Sequence, residues 1–363
     1  MDALMLPLNW QRVRLGDIAE IKRGVRITKN ELDVFGKYPV VSGGVGFLGY
    51  TNNFNRYENT ITIAQYGTAG YVNFQKNKFW ANDVCFCVYP NKNVIKNIFL
   101  YYFLKVNQNY LYEISNRNAT PYSISKDKIL DFEILLPPLN EQIAIANILS
   151  DLDRYLCSLD ALILKKESVK KALSFELLSQ RKRLKGFNQN WQKVRLGDIA
   201  YYLTSNLSAE QITQQGKIKV YDVNNFIGYT NTTFISDKPY ISIVKDGSVG
   251  RVRILPPKTN ILSTMGALIA NHKTTTEFLF YLLSNFDFKN FTSGSIIPHI
   301  YFKDYKEKTI FLPPLNEQSA IANILSALDH EIISLKNKKR QFDNIKKALN
   351  HDLMSAKIRV LKK

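Results

Sequence analysis

Two short stretches of the sequence have residue types and spacings found in loops that bind cofactors or catalyse reactions. The first, GVGFLG at residues 44–49, fits the Gly-x-Gly-x-x-Gly pattern with which dinucleotide-binding folds hold a pyrophosphate. That site requires a helix directly after the glycines and an acidic residue about 20 positions later. Here the glycines are followed by YTNNFNRYENT, which is typical of turns. We therefore do not predict a dinucleotide site.

The second stretch, LPPL at residues 136–139 and 312–315, resembles the (Asn/Asp)-Pro-Pro-aromatic loop of amino-methyltransferases. That loop needs a polar side chain to hold the target amine and an aromatic ring to stack on a flipped base. Leucine provides neither group. The sequence also lacks a Gly-x-x-x-x-Gly-Lys-Ser/Thr phosphate loop. We therefore predict a chain that has no catalytic residues.

The positions of the histidines and cysteines do not predict a metal site. All the histidines lie in the second half of the chain: His272, His299, His330 and His351. The three cysteines form neither a metal-binding spacing nor an even disulfide set: Cys85, Cys87 and Cys157. We predict no metal site and a reducing, cytoplasmic compartment. The apolar runs are too short to span a bilayer, and no signal peptide is recognisable at the start.

The net charge indicates a polyanionic partner. A chain of 363 residues is long enough for about two domains, and its formal net charge is +18. An AT-rich coding bias would also add lysine, but it does not explain why every segment of the chain is positive. Nucleic acid is the simplest partner that fits this charge.

The chain repeats two long stretches of its own sequence. NWQRVRLGDIA at residues 9–19 returns as NWQKVRLGDIA at 190–200, and LPPLNEQIAIANILSDLD at 136–153 returns as LPPLNEQSAIANILSALD at 312–329. Between these matched ends the halves have diverged. The spacing of about 180 residues is too long for a solenoid, so it predicts two tandem domains, at residues 1–140 and 187–316.

The divergent middle of each half has the pattern of a mixed α/β domain. Short β-rich runs, TITIAQY from residue 60, VCFCVY from 84 and YISIVK from 240, alternate with Asn- and Gly-containing turns. Each half also has an aromatic-rich helical stretch, IFLYYFLKV from residue 98 and EFLFYLLSNF from 277. We interpret these aromatic side chains as core.

Each domain is followed by a stretch that predicts a long helix, at residues 141–186 and 317–363. No Gly or Pro occurs from 141 to 185 or from 317 to 363, and Asn140 is the predicted N-cap of the first helix. Apolar residues recur at intervals of three and four, which predicts packing of the two helices as an antiparallel coiled coil. The predicted packing residues are Leu149, Leu152, Leu156, Leu159, Ile163, Leu173, Leu177, Leu325, Leu328, Ile332, Leu335, Phe342, Leu349 and Leu353.

These repeated residues resemble the specificity (S) subunit of type I restriction-modification systems. Trp-x-x-Val-x-Leu-Gly-Asp-Ile stands at residues 10–18 and 191–199, and Leu-Pro-Pro-Leu-Asn-Glu-Gln leads into a long helix in each half. The GVGFLGYTN stretch and the Gly-x-x-Gly turns, GTAG from residue 67 and GSVG from 247, are also similar. The resemblance covers essentially the whole chain and implies an α+β fold, with two mixed α/β target-recognition domains joined by the two helices.

The resemblance also implies a function. The chain would be a non-catalytic subunit that binds double-stranded DNA, and each recognition domain would read one half of a bipartite, asymmetric target. The helices would set the spacing and dock methyltransferase (M) subunits, usually two. Those partners would bring S-adenosylmethionine, and restriction (R) subunits would bring ATP and Mg, while this chain would bind no cofactor. The alternative is a stand-alone coiled-coil DNA-binding regulator without catalytic partners.

Candidate DNA-contacting residues are the polar and basic side chains of the predicted turns, because no motif assigns individual readers. Arg and Lys suit guanine or phosphate, and Asn or Gln suits adenine; a solvated loop residue is the alternative for each. In the first domain the candidates are Lys22, Arg23, Arg26, Gln65, Tyr66, Thr68, Arg117, Asn118, Thr120 and Tyr122. In the second domain they are Ser205, Asn206, Lys245, Ser248, Arg251, Ser293, Ser295 and His299.

Overall fold

The computed structural model describes residue 7 and residues 9–118 and 120–360. It divides into two compact units, one formed by Met1–Asp160 with Asn337–Lys363 and the other by Ala161–Lys336. Each unit contains one mixed α/β domain, as the sequence predicts, together with a segment of each long helix.

The first domain is built mainly from short antiparallel strands. Its strands are β1 (Gln11–Arg14), β2 (Ala19–Arg23), β3 (Tyr38–Val41), β4 (Gly49–Thr51), β5 (Thr60–Ala64), β6 (Val72–Gln75), β7 (Trp80–Ala81), β8 (Cys85–Pro90) and β9 (Glu133–Leu136). Its helices are α1 (Leu15–Ile18), α2 (Asn97–Val106), α3 (Gln108–Glu113) and α4 (Lys126–Leu130), with a 3-10 turn at Lys29–Glu31. The sheets have the strand orders β2-β8-β5-β6, β4-β3-β7 and β1-β9.

The second domain repeats this order of elements. Its strands are β10 (Gln192–Arg195), β11 (Ala200–Thr204), β12 (Ile218–Tyr221), β13 (Phe226–Thr230), β14 (Tyr240–Val244), β15 (Val252–Leu255), β16 (Asn260–Ile261), β17 (Met265–Ala270), β18 (Thr292–Ser293), β19 (His299–Ile300) and β20 (Thr309–Leu312). Helices α6 (Thr276–Ser284) and α7 (Phe302–Tyr305) and 3-10 turns at Leu196–Asp198, Ala209–Gln211 and Lys289–Phe291 complete it. The matching sheets are β11-β17-β14-β15, β13-β12-β16 and β10-β20, with a β18-β19 hairpin beside them.

The predicted strands and aromatic helices form the cores of the two domains. Every residue of β5 and of β14 is buried. The polar residues that alternate with isoleucine in these strands are satisfied locally, since the hydroxyls of Thr62 and Ser242 donate to the carbonyls of Asn73 (3.5 Å) and Arg253 (3.3 Å). Helices α2 and α6 pack their aromatic side chains inward, as Phe99 and Phe278 show with no exposed surface. The hydroxyl of Thr275 caps α6 by accepting the N–H of Phe278 (3.1 Å).

The two long helices are α5 (Leu139–Leu178) and α8 (Leu315–Met354), each of 40 residues. The predicted N-cap at Asn140 is wrong, because the carbonyl of Pro138 already accepts the N–H groups of Glu141 and Gln142. The predicted end near Lys185 is also wrong. Gln180 takes a φ of +62°, which ends the helix before the predicted glycine. Each helix is therefore about 60 Å long at 1.5 Å per residue.

Ala356 follows the second helix with a φ of +59°. Its position matches that of Gln180 in the first half, so the two helices end in the same way. The predicted second helix reached Lys363, and residues 361–363 lie outside the described part of the chain.

Within each unit, a segment of α5 packs antiparallel to a segment of α8. In the first unit Lys346 pairs with Asp153, and Lys339 pairs with Asp160 at 3.2 Å. In the second unit Lys166 pairs with Glu331 at 2.8 Å, and Lys170 pairs with Asp329. In both units the residue number rises along one segment as it falls along the other, which defines the antiparallel direction.

None of the predicted packing residues is exposed. Eight of them are buried: Leu149, Leu156, Leu159, Ile163, Leu177, Leu325, Ile332 and Leu353. The other six are half-buried: Leu152, Leu173, Leu328, Leu335, Phe342 and Leu349. Phe342 meets Tyr155 edge to face, with ring centroids 4.8 Å apart.

Candidate nucleic-acid interface

Several loops of the first domain leave its four-stranded sheet at one edge. β2 ends at Arg23, opposite Phe86 of β8, and β5 ends at Ala64, opposite Cys85. Because β8 begins at Cys85, the ends of β2 and β5 lie on the same side of the sheet. We call this surface the first loop edge and define it by residues 22–26, 42–48, 65–70, 116–118 and 120–124.

Hydrogen bonds connect three of these loops to one another. The N–H of Gly67 donates to the carbonyl of Tyr122 (3.0 Å), and the N–H of Thr68 donates to the carbonyl of Gly43 (2.9 Å). Gly43 has no room for a side chain, because a Cβ there would lie 2.2 Å from the carbonyl oxygen of Tyr66. The glycines therefore allow a close approach of loops that are distant in sequence.

The candidates of the first domain lie on this edge with different degrees of exposure. Eight are exposed: Lys22, Arg23, Arg26, Thr68, Arg117, Asn118, Thr120 and Tyr122. Gln65 and Tyr66 are half-buried, and the buried Oε1 of Gln65 lacks a hydrogen-bond partner among the described residues. The structure therefore brings the candidates from residues 65–68 and 117–122 together. Those from residues 22–26 share no hydrogen bond with them within the described part of the chain.

Arg117 is held in a defined orientation on the first loop edge. Its Nε donates to the carbonyl of Tyr112 (3.1 Å). Its guanidinium lies 5.5 Å from the ring centroid of Tyr112 and 5.6 Å from that of Tyr122. An exposed guanidinium that is already oriented can bind guanine or phosphate with less loss of side-chain entropy.

The second domain forms the equivalent edge. β11 ends at Thr204, opposite Gly266, and β14 ends at Val244, opposite Met265, where β17 begins. The N–H of Lys245 donates to the carbonyl of Thr264 (3.1 Å), which continues the pairing into the loop. We call this surface the second loop edge and define it by residues 205–207, 245–251 and 292–300.

A side-chain pair that the sequence did not indicate joins two loops of the second edge. His299 Nδ1 lies 2.7 Å from Asp246 Oδ1. Because a carboxylate only accepts hydrogen bonds, the proton of this contact belongs to Nδ1 of the imidazole. Asp246 was missed in the sequence, although it directly follows Lys245 in the repeated Gly-x-x-Gly loop. The signal available was its position in that loop, which Tyr66 occupies in the first half.

The second-domain candidates are exposed or half-buried, with one exception. Five are exposed: Asn206, Ser248, Arg251, Ser293 and Ser295. Lys245 and His299 are half-buried. Ser205 is only 8% exposed, and its hydroxyl accepts the N–H of Leu207 (3.2 Å). Ser205 therefore shapes the turn after β11 rather than presenting its hydroxyl to a ligand, which corrects its assignment.

The repeated sequences at the two ends of the first half meet at a buried glutamate. β1 pairs with β9, which places Trp10 beside the start of α5. Trp10 Nε1 donates to Glu141 Oε2 (3.2 Å). Arg359, beyond the end of α8, donates to both carboxylate oxygens of Glu141, at 2.6 and 2.8 Å. The hydrogen bond to Glu141 raises the pKa of the Arg359 guanidinium.

The second unit contains the same arrangement. Trp191 Nε1 donates to Glu317 Oε2 (3.0 Å), and Arg183, beyond the end of α5, binds both carboxylate oxygens at 3.2 and 2.7 Å. The side chain of Glu317 is 1% exposed. A buried carboxylate is stable only when its oxygens are paired. The tryptophan of the first repeated stretch and the glutamate of the second therefore depend on each other in both units.

The glutamine that follows each glutamate fastens the helix to its domain. Gln142 Oε1 accepts the N–H of Lys96 (2.7 Å), and its Nε2 donates to the carbonyls of Val94 and Pro137. Both groups of the amide are therefore satisfied next to the start of α2. Gln318 makes the corresponding bonds in the second unit, where its Oε1 accepts the N–H of Thr275 (3.0 Å).

A tyrosine and a carboxylate form a further link between each domain and its helix pair. The hydroxyl of Tyr102 donates to Asp153, and that of Tyr281 donates to Asp329 at 2.9 Å. Burial and these hydrogen bonds raise the pKa of both phenols, so the hydroxyls keep their protons and remain donors. The repeated stretches thus supply contacts that position each loop edge relative to the helix segments of its own unit.

Two further structural observations bear on the kind of site. Within residues 7, 9–118 and 120–360, His, Cys, Asp and Glu do not gather in groups of three or more that could hold a metal ion. Over the same residues, every helix is too short or too polar to cross a membrane.

Comparison with known proteins identifies the family. A family model described as the type I restriction modification DNA specificity domain matches residues 7–166 and 188–342. The chain is 25% identical to the type I restriction enzyme MjaVIII specificity subunit of Methanocaldococcus jannaschii, with 99% of this chain and 95% of the relative covered. It is 23% identical to the type I restriction enzyme EcoDI specificity subunit of Escherichia coli, over 90% and 83% of the two chains.

The fold is shared with a solved structure of similar length. The crystal structure of a type I restriction-modification S subunit from M. genitalium superposes with a TM-score of 0.72 at 24% identity, and 96% of this chain and 98% of that chain are covered. The family model covers both halves of the chain and most of its length. The chain therefore belongs to the type I restriction-modification DNA specificity family and carries one copy of the domain in each half.

Proposed function

We propose that this chain is the DNA sequence-specificity subunit of a type I restriction-modification complex. Each domain reads one half of a bipartite, asymmetric DNA target, and the chain itself catalyses no reaction. The observation that carries the proposal is the pair of loop edges. They occupy equivalent positions on matched scaffolds, yet their side chains differ: Gln65, Tyr66 and Thr68 correspond to Lys245, Asp246 and Ser248. Two domains that recognise different DNA sequences on a common scaffold need different side chains at their contact surfaces.

The same proposal assigns a measuring role to the helices. We infer that α5 and α8 act as an antiparallel coiled coil that sets the distance between half-sites. Support comes from the ion pairs within each unit and from the buried glutamates, which fix each domain to its helix segments. The boundaries 1–140, 141–186, 187–316 and 317–363 remain the proposed division into domain, spacer, domain and spacer.

The outer faces of the helices fit docking of methyltransferase subunits. Several large apolar side chains remain exposed there: Ile143, Leu162, Leu164, Val169, Phe175, Ile333 and Ile345. Ile148, which the sequence also suggests as outward-facing, is half-buried. Apolar surface of this extent favours a protein partner. We propose two M subunits that carry S-adenosylmethionine, and R subunits that carry ATP and Mg, in a cytoplasmic complex on double-stranded DNA.

Methylome sequencing of a host that carries the complex tests this function. Wild type is expected to give one bipartite motif with a fixed gap, and the purified chain alone is expected to methylate nothing. A variant with four helix-forming residues inserted after Asp160 and four after Lys336 lengthens both helices by about 6 Å at 1.5 Å per residue. The four residues also rotate the far end of each helix by about 40°. One base pair turns DNA by roughly 35°, so this rotation fits one added base pair better than two.

We therefore expect the variant to methylate the same two half-sites with a gap longer by one base pair. The matched control carries the same four residues after Asn188, in the linker between α5 and β10, and should keep the wild-type gap. Full methylation at an unchanged gap by the helix variant would show that the helices hold the domains without measuring distance. Absence of a bipartite motif in the wild type would contradict the function itself.

A further inference from the structure

The hairpin β18–β19 carries two exposed aliphatic side chains at its tip. Ile296 is 92% exposed and Ile297 is 55% exposed. They lie on the second loop edge, between the candidates Ser295 and His299. Single exposed apolar residues are common, but two adjacent isoleucines at the tip of a loop on a proposed DNA-reading surface are not explained by the fold.

The shape of this hairpin is fixed by its backbone. Thr292 pairs with Ile300, and Ser293 pairs with His299. Gly294 takes a φ of +90°, and a Cβ at that position would lie 2.3 Å from the carbonyl oxygen of Ile297. Only glycine allows this close approach, so the tip is a tight loop of defined form.

The base of the hairpin is fastened to the Gly-x-x-Gly loop of the same edge. The N–H of Gly247 donates to the carbonyl of Pro298 (2.8 Å), and the N–H of Ile300 donates to the carbonyl of Lys245 (2.9 Å). The His299–Asp246 pair adds a third link. These bonds hold the two isoleucines in place beside the other proposed readers, so little order must be gained on binding.

The segment of the first domain that corresponds to this hairpin is polar. The segment that takes the place of the hairpin, NRNATPY at residues 116–122, has no large aliphatic side chain. The first loop edge exposes its apolar side chains in other loops, at Val25, Val45, Phe47 and Leu48. The first domain also exposes Val34 and Phe35, at 89% and 93%, on a turn outside this edge. The second domain has Gln214 and Gln215 at the positions of that turn. An exposed pair of isoleucines in this segment is therefore particular to the second domain.

We propose that Ile296 and Ile297 are specificity-determining residues that contact the C5-methyl group of thymine in the major groove of the second half-site. This inference rests on the proposed function. The thymine methyl is the apolar group on the base edges of the major groove, and aliphatic side chains read it by contact. The neighbouring Lys245 and Arg251 supply the phosphate contacts that bring such a loop to a groove.

The test uses the full chain in complex with its cognate methyltransferase and duplexes that carry the mapped target. In one duplex, deoxyuridine replaces each thymine of the second half-site, which removes only the methyl group. We expect the wild-type complex to bind this duplex about fourfold more weakly for each contacted methyl, from the free energy of burying one methyl-sized group. The double variant Ile296→Ala, Ile297→Ala should bind both duplexes equally.

The control is the double variant Val34→Ala, Phe35→Ala, which removes an exposed apolar pair outside both loop edges and should keep the wild-type sensitivity to deoxyuridine. The proposal is overturned if replacing thymine with deoxyuridine lowers the affinity of the isoleucine variant as much as that of the wild type. It is also overturned if deoxyuridine has no effect on the wild type, as insertion into the minor groove would produce, or if the second half-site contains no thymine. Failure of the proposed function is distinct, since the unmodified duplex would then not be bound specifically.

Discussion

Replacing Glu141 with alanine is expected to lower the opening free energy of the first unit by about 2–3 kcal/mol, because one side chain holds three elements together. The substitution leaves Trp10 Nε1 without its acceptor and Arg359 without its bidentate partner. Arg359 keeps a 30% exposed side chain, so water compensates part of the loss. Hydrogen exchange in β1 and at the start of α5 measures the effect directly.

The matched control is Glu133→Ala in the neighbouring strand β9. Glu133 also pairs with an arginine, Arg12 at 3.5 Å, but its side chain is 65% exposed. An exposed pair of this kind contributes less than about 1 kcal/mol, so exchange rates should change little. Glu317→Ala should reproduce the effect of Glu141→Ala in the second unit. If Glu141→Ala and Glu133→Ala gave equal protection from hydrogen exchange in β1 and at the start of α5, the structural role of the buried glutamate would be contradicted.

Replacing both Leu149 and Leu156 with aspartate is expected to abolish assembly with the methyltransferase. Leu149 is fully buried and Leu156 is 7% exposed. Loss of each leucine costs about 2–5 kcal/mol, and burial of a carboxylate adds to that cost. The helix segments of the first unit should separate. Co-purification of the methyltransferase with the tagged chain measures the outcome, and recovery of a complex at the wild-type yield would contradict the packing role.

A second variant separates packing from docking. Ile143→Asp changes a side chain that is 44% exposed on the outer face of α5, so the helical content by circular dichroism should stay at the wild-type level. Docking should nevertheless weaken, because a charge then enters the proposed interface. If Ile143→Asp left the complex intact, this face of α5 would not be the docking surface.

The sequence predicted the architecture because the architecture depends on repeated and local patterns. The two copies of each repeated stretch predicted two domains, and the runs TITIA and YISIV predicted strands that the structure confirms as β5 and β14. The ends of the long helices were missed for a local reason. Gln180 and Ala356 adopt positive φ angles without being glycine, and neither glutamine nor alanine signals that conformation.

The buried contacts of the repeated motifs were missed because their partners are distant. Glu141 and Arg359 are separated by 218 positions, so no local pattern links them. The available signal was the repeat itself: Glu141 and Glu317, like Arg183 and Arg359, are 176 residues apart. Likewise, the link between His299 and Asp246 arises only when the hairpin and the Gly-x-x-Gly loop meet. The candidate readers could be assigned to turns, but their grouping into loop edges required the strand pairing.

The central claim, that each domain reads its own half-site, is tested most directly by exchanging residues 20–135 for the corresponding segment of another family member. The measurement is the methylated motif of a host that carries the exchanged chain with its methyltransferase. Because Trp10, Glu141 and Arg359 lie outside the exchanged segment, the contacts at the buried glutamate are retained. The links of Gln142 to Val94 and Lys96, and of Asp153 to Tyr102, must be supplied by the incoming segment. The account predicts that one half-site changes while the other half-site and the gap stay the same. A change in both half-sites would contradict it.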